Sequence, residues 1–274
     1  MPIFFRFREN ILFTTNPSLV SKIMFYIFGH DFIGMEIRLA HFKSALKYIK
    51  QKPQQILDVG CSSGDLSFFL ASRYKHATVD AFDINKQEIF NNKKAQAALK
   101  IKNINFYTQD LRKFNPKKEN KKYDLICCLT TLIFFTKKEH LRIAKVLMNL
   151  VDAKKYVYFD LPNKVEEDQS IIPPKYYPRI HSLFGSAATN TGELLTLQEL
   201  ENLLERNNFE IIYKNKARNF IARFAWDLDN VFREKDWNKV RLLLLPILRF
   251  LAKIDAWFSN KNGSCFCVLA RKKE

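Results

Sequence analysis

The stretch Ile56-Leu57-Asp58-Val59-Gly60-Cys61-Ser62-Ser63-Gly64-Asp65-Leu66-Ser67 decides the fold. Residues 55–59 read as a short buried strand, which Gly60 closes into a turn of small residues. A helix follows over 67–73. Small side chains let backbone N–H groups and a helix N-terminus approach a polar ligand closely. At the carboxyl edge of a parallel sheet, such a turn lies where open α/β folds bind their ligands.

Downstream, the pattern repeats. Residues 77–82 read as a strand, 85–100 as a helix, and 104–108 and 123–129 as strands. A helix over 139–151 and a strand over 155–159 follow. This alternation implies βαβ units around a mostly parallel, doubly wound sheet with helices on both faces. Upstream, residues 1–52 read as an aromatic-rich helical cap, with Leu39, Phe42, Leu46 and Ile49 at helical spacing. Lys52-Pro53 separates this cap from a main domain over 53–274.

After Asp160 the alternation stops in a polar and aromatic segment, 161–195, containing Pro162, Pro173, Pro174, Pro178 and Gly185. Connections of that length without regular structure are functional or disordered. Thr196 and Glu199 have capping-box spacing for a helix through Glu205. Strands are then expected over 209–213 and 265–270, with a helical insertion over 218–262 between them.

Composition narrows the class. The chain has 274 residues, 47% hydrophobic and 27% charged, which is ordinary for a globular protein. Its net charge of +17 favours an anionic partner: nucleic acid, a membrane surface or a phosphorylated substrate. Abundant Lys, Asn, Ile and Phe also fit AT-biased coding, which would produce the same excess. Cys61, Cys127, Cys128, Cys265 and Cys267 are odd in number and set among apolar residues, as expected for reduced thiols in a cytoplasmic protein. No Cys or His grouping completes a metal site. Arg6, Arg8 and Glu9 interrupt the N-terminal apolar residues, so no secretory signal is expected. Pro246 and Arg249 interrupt the apolar run 242–251, and a bilayer span needs roughly 20 apolar residues.

Two further strand tips carry carboxylates. Asp83 lies 25 positions beyond Asp58, where an acid can accept hydrogen bonds from both hydroxyls of a ribose. Asp110-Leu111 ends the third strand and suits an adenine, with its amino group on the acid and its ring on apolar atoms. A nicotinamide fingerprint fails, because its second and third glycine positions, counted from Gly60, hold Ser62 and Asp65.

In order, Asp58-Val59-Gly60-Cys61-Ser62-Ser63-Gly64, Asp83 and Asp110-Leu111 resemble the cofactor motifs of class I S-adenosylmethionine-dependent methyltransferases. The likeness covers about 54–217 and 263–272, including the helix-then-strand pattern of small-molecule members at 195–212. It implies a seven-stranded sheet whose last strand is antiparallel. It also implies that Gly60, Cys61, Ser62 and Gly64 line the methionyl part of S-adenosylmethionine. Asp83 and Ile84 would then meet the ribose side, Asp110 and Leu111 the adenine, and Leu129 and Thr130 the sulfonium. Asp58 would order the glycine turn or reach the methionyl amine through water. Ser62 replaces the family's usual middle glycine, and serine fits there if its φ is negative.

Methyl transfer is an in-line displacement in which alignment and water exclusion matter most. The segment Cys127-Cys128-Leu129-Thr130-Thr131 lacks both the Asn-Pro-Pro-Tyr type of motif and a Pro-Cys nucleophile, which reduces the weight of nucleobase chemistry. Acceptor contacts are expected from 1–52, the end of the fourth strand and the substrate-side segment 161–195. That segment offers Tyr176, Tyr177 and Arg179 to the substrate, and His181 as a general base or a packing histidine. Asp160 is a second candidate base. His140 and the basic run 112–122 read as solvated surface.

In the insertion, Phe220, Phe224, Leu228 and Val231 recur at helical spacing, as do Val240, Leu244, Leu248, Leu251 and Phe258. Arg241, Arg249 and Lys253 share one face of the second helix, which Pro246 is expected to kink. With Trp257 nearby, residues 237–258 fit either a peripheral membrane contact or a cover over the sheet. The expected acceptor is a small molecule, a sugar or a lipid-linked intermediate. The alternatives are an RNA methyltransferase and a non-catalytic binding module of the same fold.

Overall fold

The structure, a computed structural model, describes residues 33–114, 121–162, 170–178, 195–257 and 263–274. Strands β1 (Gln55–Val59), β2 (Thr78–Asp83), β3 (Ile104–Thr108), β4 (Tyr123–Leu129) and β5 (Val151–Pro162) pair in parallel. Beyond β5, β6 (Phe209–Ala217) and β7 (Cys265–Lys272) complete a seven-stranded sheet of order β3-β2-β1-β4-β5-β7-β6, with β7 antiparallel to both its neighbours. Strand order reverses at β1, and that reversal opens a ligand crevice at the carboxyl edge of a doubly wound sheet.

Helices α1 (Ile33–Leu46), α2 (Asp65–Arg73), α3 (Lys86–Ala98), α6 (Phe220–Glu234) and α7 (Asn238–Ile254) contribute Phe42, Phe68, Ile89, Trp226 and Leu248 to a core on one face. Helices α4 (Lys137–Leu150) and α5 (Leu197–Arg206) contribute Leu147 and Leu200 to the core on the other. Along β5, Tyr156 and Tyr158 enter the first core while Val157 and Phe159 enter the second, as strand alternation requires. Both faces are covered, which explains why the strands read as nearly unbroken apolar runs.

Three boundaries move outward for identifiable reasons. Helix α2 begins at Asp65, because left-handed Gly64 (φ 77°) ends the turn and serves as its N-cap. Strands β5 and β6 extend to Pro162 and Ala217, because β7 supplies an antiparallel ladder along both. The Thr196–Glu199 capping box starts α5 as expected. A second box, Thr136–Glu139, starts α4 at Lys137.

The insertion is a helical pair packed on α1, and two cations of its second helix are buried. Arg241 is buried against Asp229 at 2.7 Å, and Arg249 reaches Glu36 of α1 at 2.7 Å. Lys253 keeps its stem half exposed, with Nζ 3.5 Å from Glu36. The two arginines therefore face inward, because buried carboxylates on neighbouring helices demand cations there. Helix α7 continues through Pro246. Of the cap over 1–52, only α1 and the turn after it are described, and Phe258 and residues 115–120 also lie outside the described residues. Among the described residues no helix is long and apolar enough to cross a membrane.

Candidate active site

The turn from β1 to α2 is left-handed at three alternate residues, with φ of 69° at Gly60, 44° at Ser62 and 77° at Gly64. A Cβ on Gly60 would stand 2.3 Å from Thr131 Oγ1, and one on Gly64 would stand 2.8 Å from Phe68 Cε2. Glycine is thus needed at both places for space as well as for φ. The expectation of a negative φ at Ser62 is wrong. A non-glycine residue in that region costs about 1–3 kcal/mol. Two hydrogen bonds offset much of this: Ser62 N donates to Asp83 Oδ2 at 2.9 Å, and Asn92 Nδ2 donates to Ser62 O at 2.7 Å. Cys61 N donates to Phe82 O at 2.9 Å, fastening the same turn to β2.

Beneath the turn, Asp58 is buried and accepts a hydrogen bond from Ser67 Oγ at 2.6 Å. Burial pushes its pKa up to about 7. Its visible work is to hold the first turn of α2. Cys61 is also buried, and desolvation pushes its thiol far up, so it remains neutral.

Asp83 accepts from Ser62 N and, through Oδ1, from Asn85 N at 2.9 Å. A carboxylate has about four lone-pair sites, so Asp83 keeps acceptor capacity for a ligand. Ile84, next in the chain, is 57% exposed. Asp110 is more occupied than expected. It caps the short helical turn Leu111–Lys113 and pairs with Arg112, whose Nε and Nη2 each lie 3.1 Å from a carboxylate oxygen. Hydrogen bonding from Arg112 lowers its pKa. Leu111 is buried in the second core with Phe82 and Phe114, so Ile84 is the exposed apolar side chain on this edge.

At the end of β4, Thr130 is left-handed (φ 57°) and its N–H donates to Asp160 O at 2.8 Å. Thr131 Oγ1 donates to Val59 O at 2.8 Å, so one hydroxyl ties the β4 tip to the β1 tip and fills the space over Gly60. Sequence reasoning missed Thr131; its only signal was its position directly after the strand. Asp160 is 1% exposed, its Oδ1 has no hydrogen-bond partner among the described residues, and Cys267 Sγ lies 3.8 Å from Oδ2. The buried Thr130 Oγ1 also has no partner among the described residues, whereas the Tyr158 hydroxyl meets Cys267 and the Tyr213 hydroxyl meets Asn215. Tyr158 and Tyr213 are registered through Leu269 of β7, and the Phe42 ring of α1 stands 4.9 Å from that of Tyr158. Unpaired buried polar atoms are costly, so Asp160 Oδ1 and Thr130 Oγ1 beside a strand tip mark a place where a polar ligand would be welcome.

Two expectations are corrected. Tyr177 is not a substrate contact: its side chain is buried, with the hydroxyl 3.1 Å from Ser170 Oγ and 3.2 Å from Asp227 Oδ1. Asp227 Oδ2 also accepts from Ile171 N at 2.7 Å and Ile172 N at 3.1 Å, so this carboxylate of α6 anchors residues 170–178. His140 is buried rather than solvated, and desolvation lowers its pKa, leaving a neutral ring. Tyr176 is half exposed. Arg179 and His181 lie outside the described residues. Lys121 and Lys122 at the end of the basic run are engaged by Asp80 and by the carbonyl of Asn149.

Residues 56–153 match a family model described as a methyltransferase domain. Residues 56–153 thus carry a methyltransferase domain, set in a Rossmann-like sheet. The release factor glutamine methyltransferase of Fusobacterium nucleatum is 26% identical over 197 residues, covering 67% of this chain and 51% of that protein. The chain thus spans about half the length of that relative. Malonyl-[acyl-carrier protein] O-methyltransferase 1 of Ilyobacter polytropus is 29% identical over 209 residues, covering 69% of this chain and 75% of that protein. In fold, the methyltransferase domain is similar to magnesium protoporphyrin IX methyltransferase of Synechocystis, solved with bound SAH (TM-score 0.52, 19% identity, 88% of each chain). It is also similar to the plantazolicin methyltransferase (TM-score 0.55, 16% identity, 99% of this chain and 96% of that one).

The similar Synechocystis enzyme has been solved with SAH and with SAM bound, which makes S-adenosylmethionine the group to test against this turn. The residues present fit it. The turn is a cradle that Cβ atoms at Gly60 and Gly64 would obstruct, Asp83 has acceptor capacity to spare, and Ile84 offers an exposed apolar surface beside it.

Proposed function

We propose that this chain transfers a methyl group from S-adenosylmethionine to a small-molecule, sugar or lipid-linked acceptor by in-line displacement. The observation that carries the reading is the Gly60–Gly64 turn, hydrogen-bonded to the Asp83 tip and joined through Thr131 to the β4 tip, next to a β5 carboxylate oxygen unpaired among the described residues.

In this reading Gly60, Cys61, Ser62 and Gly64 hold the methionyl part, while Asp58 orders the turn from beneath through Ser67. Asp83 accepts the ribose hydroxyls, with Ile84 beside them. Asp110 and Leu111 border the adenine, and Leu129 and Thr130 flank the reacting centre. When bound, the cofactor supplies a methyl group made electrophilic by its positively charged sulfur. The chain's contribution is alignment and the exclusion of water. For a hydroxyl acceptor, Asp160 takes the proton through Oδ1, an oxygen with no hydrogen-bond partner among the described residues. His181 is the second candidate for that role, and Tyr176 and Arg179 are candidate acceptor contacts. A cytoplasmic setting is part of the reading, because all five cysteines are free and buried.

Calorimetry with S-adenosylmethionine and its demethylated product tests the cofactor half, and an acceptor screen on the same protein tests the rest. Affinity for both, lost in Asp83→Ala, is the expected result. Absence of affinity for either would overturn the reading.

A further inference from the structure

We infer that the outward face of α7 docks on an anionic membrane surface, and that the acceptor is therefore an amphiphile presented at a lipid–water interface. This deepens the methyl-transfer reading and rests on it for the acceptor alone.

Val240, Leu243, Ile247 and Phe250 recur at three- and four-residue spacing and are 43%, 77%, 56% and 56% exposed, so they form one continuous outer stripe. Exposed Trp237 and Trp257 stand at its two ends, the latter in edge contact with Phe250 at 6.2 Å. Phe220, Ile221 and Phe224 of α6 are exposed as well. Single exposed apolar residues are ordinary, but a contiguous patch ended by tryptophans marks an interaction surface. Helix α7 contains no Asp or Glu, and Lys239 and Lys253 stand exposed near its two ends. Lysines so placed can keep their stems on apolar surface and their ammonium groups in the headgroup layer. Glu234 and Asp236, the nearest preceding acids in sequence, come before the helix.

The charge of the chain chooses among occupants. With a net charge of +17, a second copy would bring like charges together, whereas an anionic bilayer would remove that repulsion. The buried arginines serve a different purpose, since Asp229 and Glu36 already neutralise them. Docking also has a direct structural route to the acceptor side. Asp227, on the same helical pair, accepts hydrogen bonds from Ile171 N, Ile172 N and Tyr177 Oη, so the helical pair is tied directly to the segment 170–178.

The test is flotation of the full chain with vesicles of phosphatidylcholine alone, or of phosphatidylcholine mixed with phosphatidylserine. The expected result is retention on the anionic vesicles only, with about a tenfold or greater loss in the Leu243→Glu/Ile247→Glu variant. Both positions are exposed, and circular dichroism with calorimetry on S-adenosylmethionine shows whether fold and cofactor site survive. Failure of wild type to float at low salt would overturn the inference, as would equal flotation of variant and wild type. So would a concentration-dependent dimer that the substitutions abolish without any flotation, because the occupant would then be a second copy. Flotation without cofactor affinity would instead overturn the methyl-transfer reading and the amphiphilic acceptor drawn from it.

Discussion

Ser62 donates its main-chain N–H to Asp83 Oδ2 at 2.9 Å, joining the turn after β1 to the tip of β2. The bond accounts for a serine at φ 44°, because the backbone must turn there for its N–H to meet the carboxylate. It also means that the proposed ribose acceptor is held in place before any ligand arrives.

Asp83→Asn should therefore weaken cofactor binding more than it weakens the fold. Loss of charge-assisted acceptance at an exposed tip is expected to lower affinity roughly 10- to 100-fold, or about 1.4–3 kcal/mol. Titration calorimetry gives the affinity, and thermal melting gives the accompanying change in stability, which should be small.

Gly60→Ala is expected to destabilise the protein by about 1–3 kcal/mol through φ strain and collision with Thr131. The collision part is separable. In a Thr131→Ala background, where Oγ1 and Cγ2 are gone, the same substitution should cost less. A double-mutant cycle in urea measures the difference, and strict additivity would show that the close approach has no energetic effect.

Asp58 sets a pH dependence. Its folded pKa of about 7 lies above the unfolded value of about 3.9, so across that window the native state holds a proton that the unfolded state has released. Stability from this group is complete below pH ~4, falls as pH rises, and is lost above ~7. The sign is opposite to that of a salt-bridged carboxylate. Urea unfolding from pH 4 to 8 should show Asp58→Asn losing less stability over the range than wild type, by up to a few kcal/mol.

Asp227→Ala should be the most damaging of these substitutions. It strands Arg223, which is buried with Nε 2.9 Å from Asp227 Oδ1, and it releases the backbone of Ile171 and Ile172. Breaking a buried pair from one side costs about 3–5 kcal/mol. Thermal melting reports that loss. Limited proteolysis should show cleavage near 170–178 appearing in the variant at temperatures where wild type resists.

Asp160→Asn should separate turnover from binding. If Asp160 takes the acceptor's proton, the turnover rate with a hydroxyl acceptor falls by about 10²-fold or more while affinity for S-adenosylmethionine is unchanged. An unaltered rate would move the role to His181 or to solvent.

What could be read along the chain were features with local causes. The strands over 55–59, 104–108 and 123–129 match their observed bounds, because continuous apolar runs flanked by turn residues have few other ways to bury themselves. The Thr196–Glu199 box is visible because both hydrogen bonds close within one helical turn. Gly60 and Gly64 announce a tight approach, and Asp58, Asp83 and Asp110 announce polar strand tips. What could not be read depended on partners far away in sequence. Tyr177 looked like a substrate contact until Asp227, 50 residues on, took its hydroxyl. What the face carrying Arg241 and Arg249 meets stayed open, because a helical pattern shows which residues share a face but not what that face meets. Buried Asp229 and Glu36 drew the arginines in, since an unpaired internal carboxylate is too costly, and the apolar stripe was left outside. Thr131 gained its importance only from the distance between two adjacent strand tips. Periodicity and turn chemistry act over a few residues and are therefore written into the chain. The direction a helix faces and the partner of a buried charge are settled by desolvation in the packed molecule, where both neighbours are present at once.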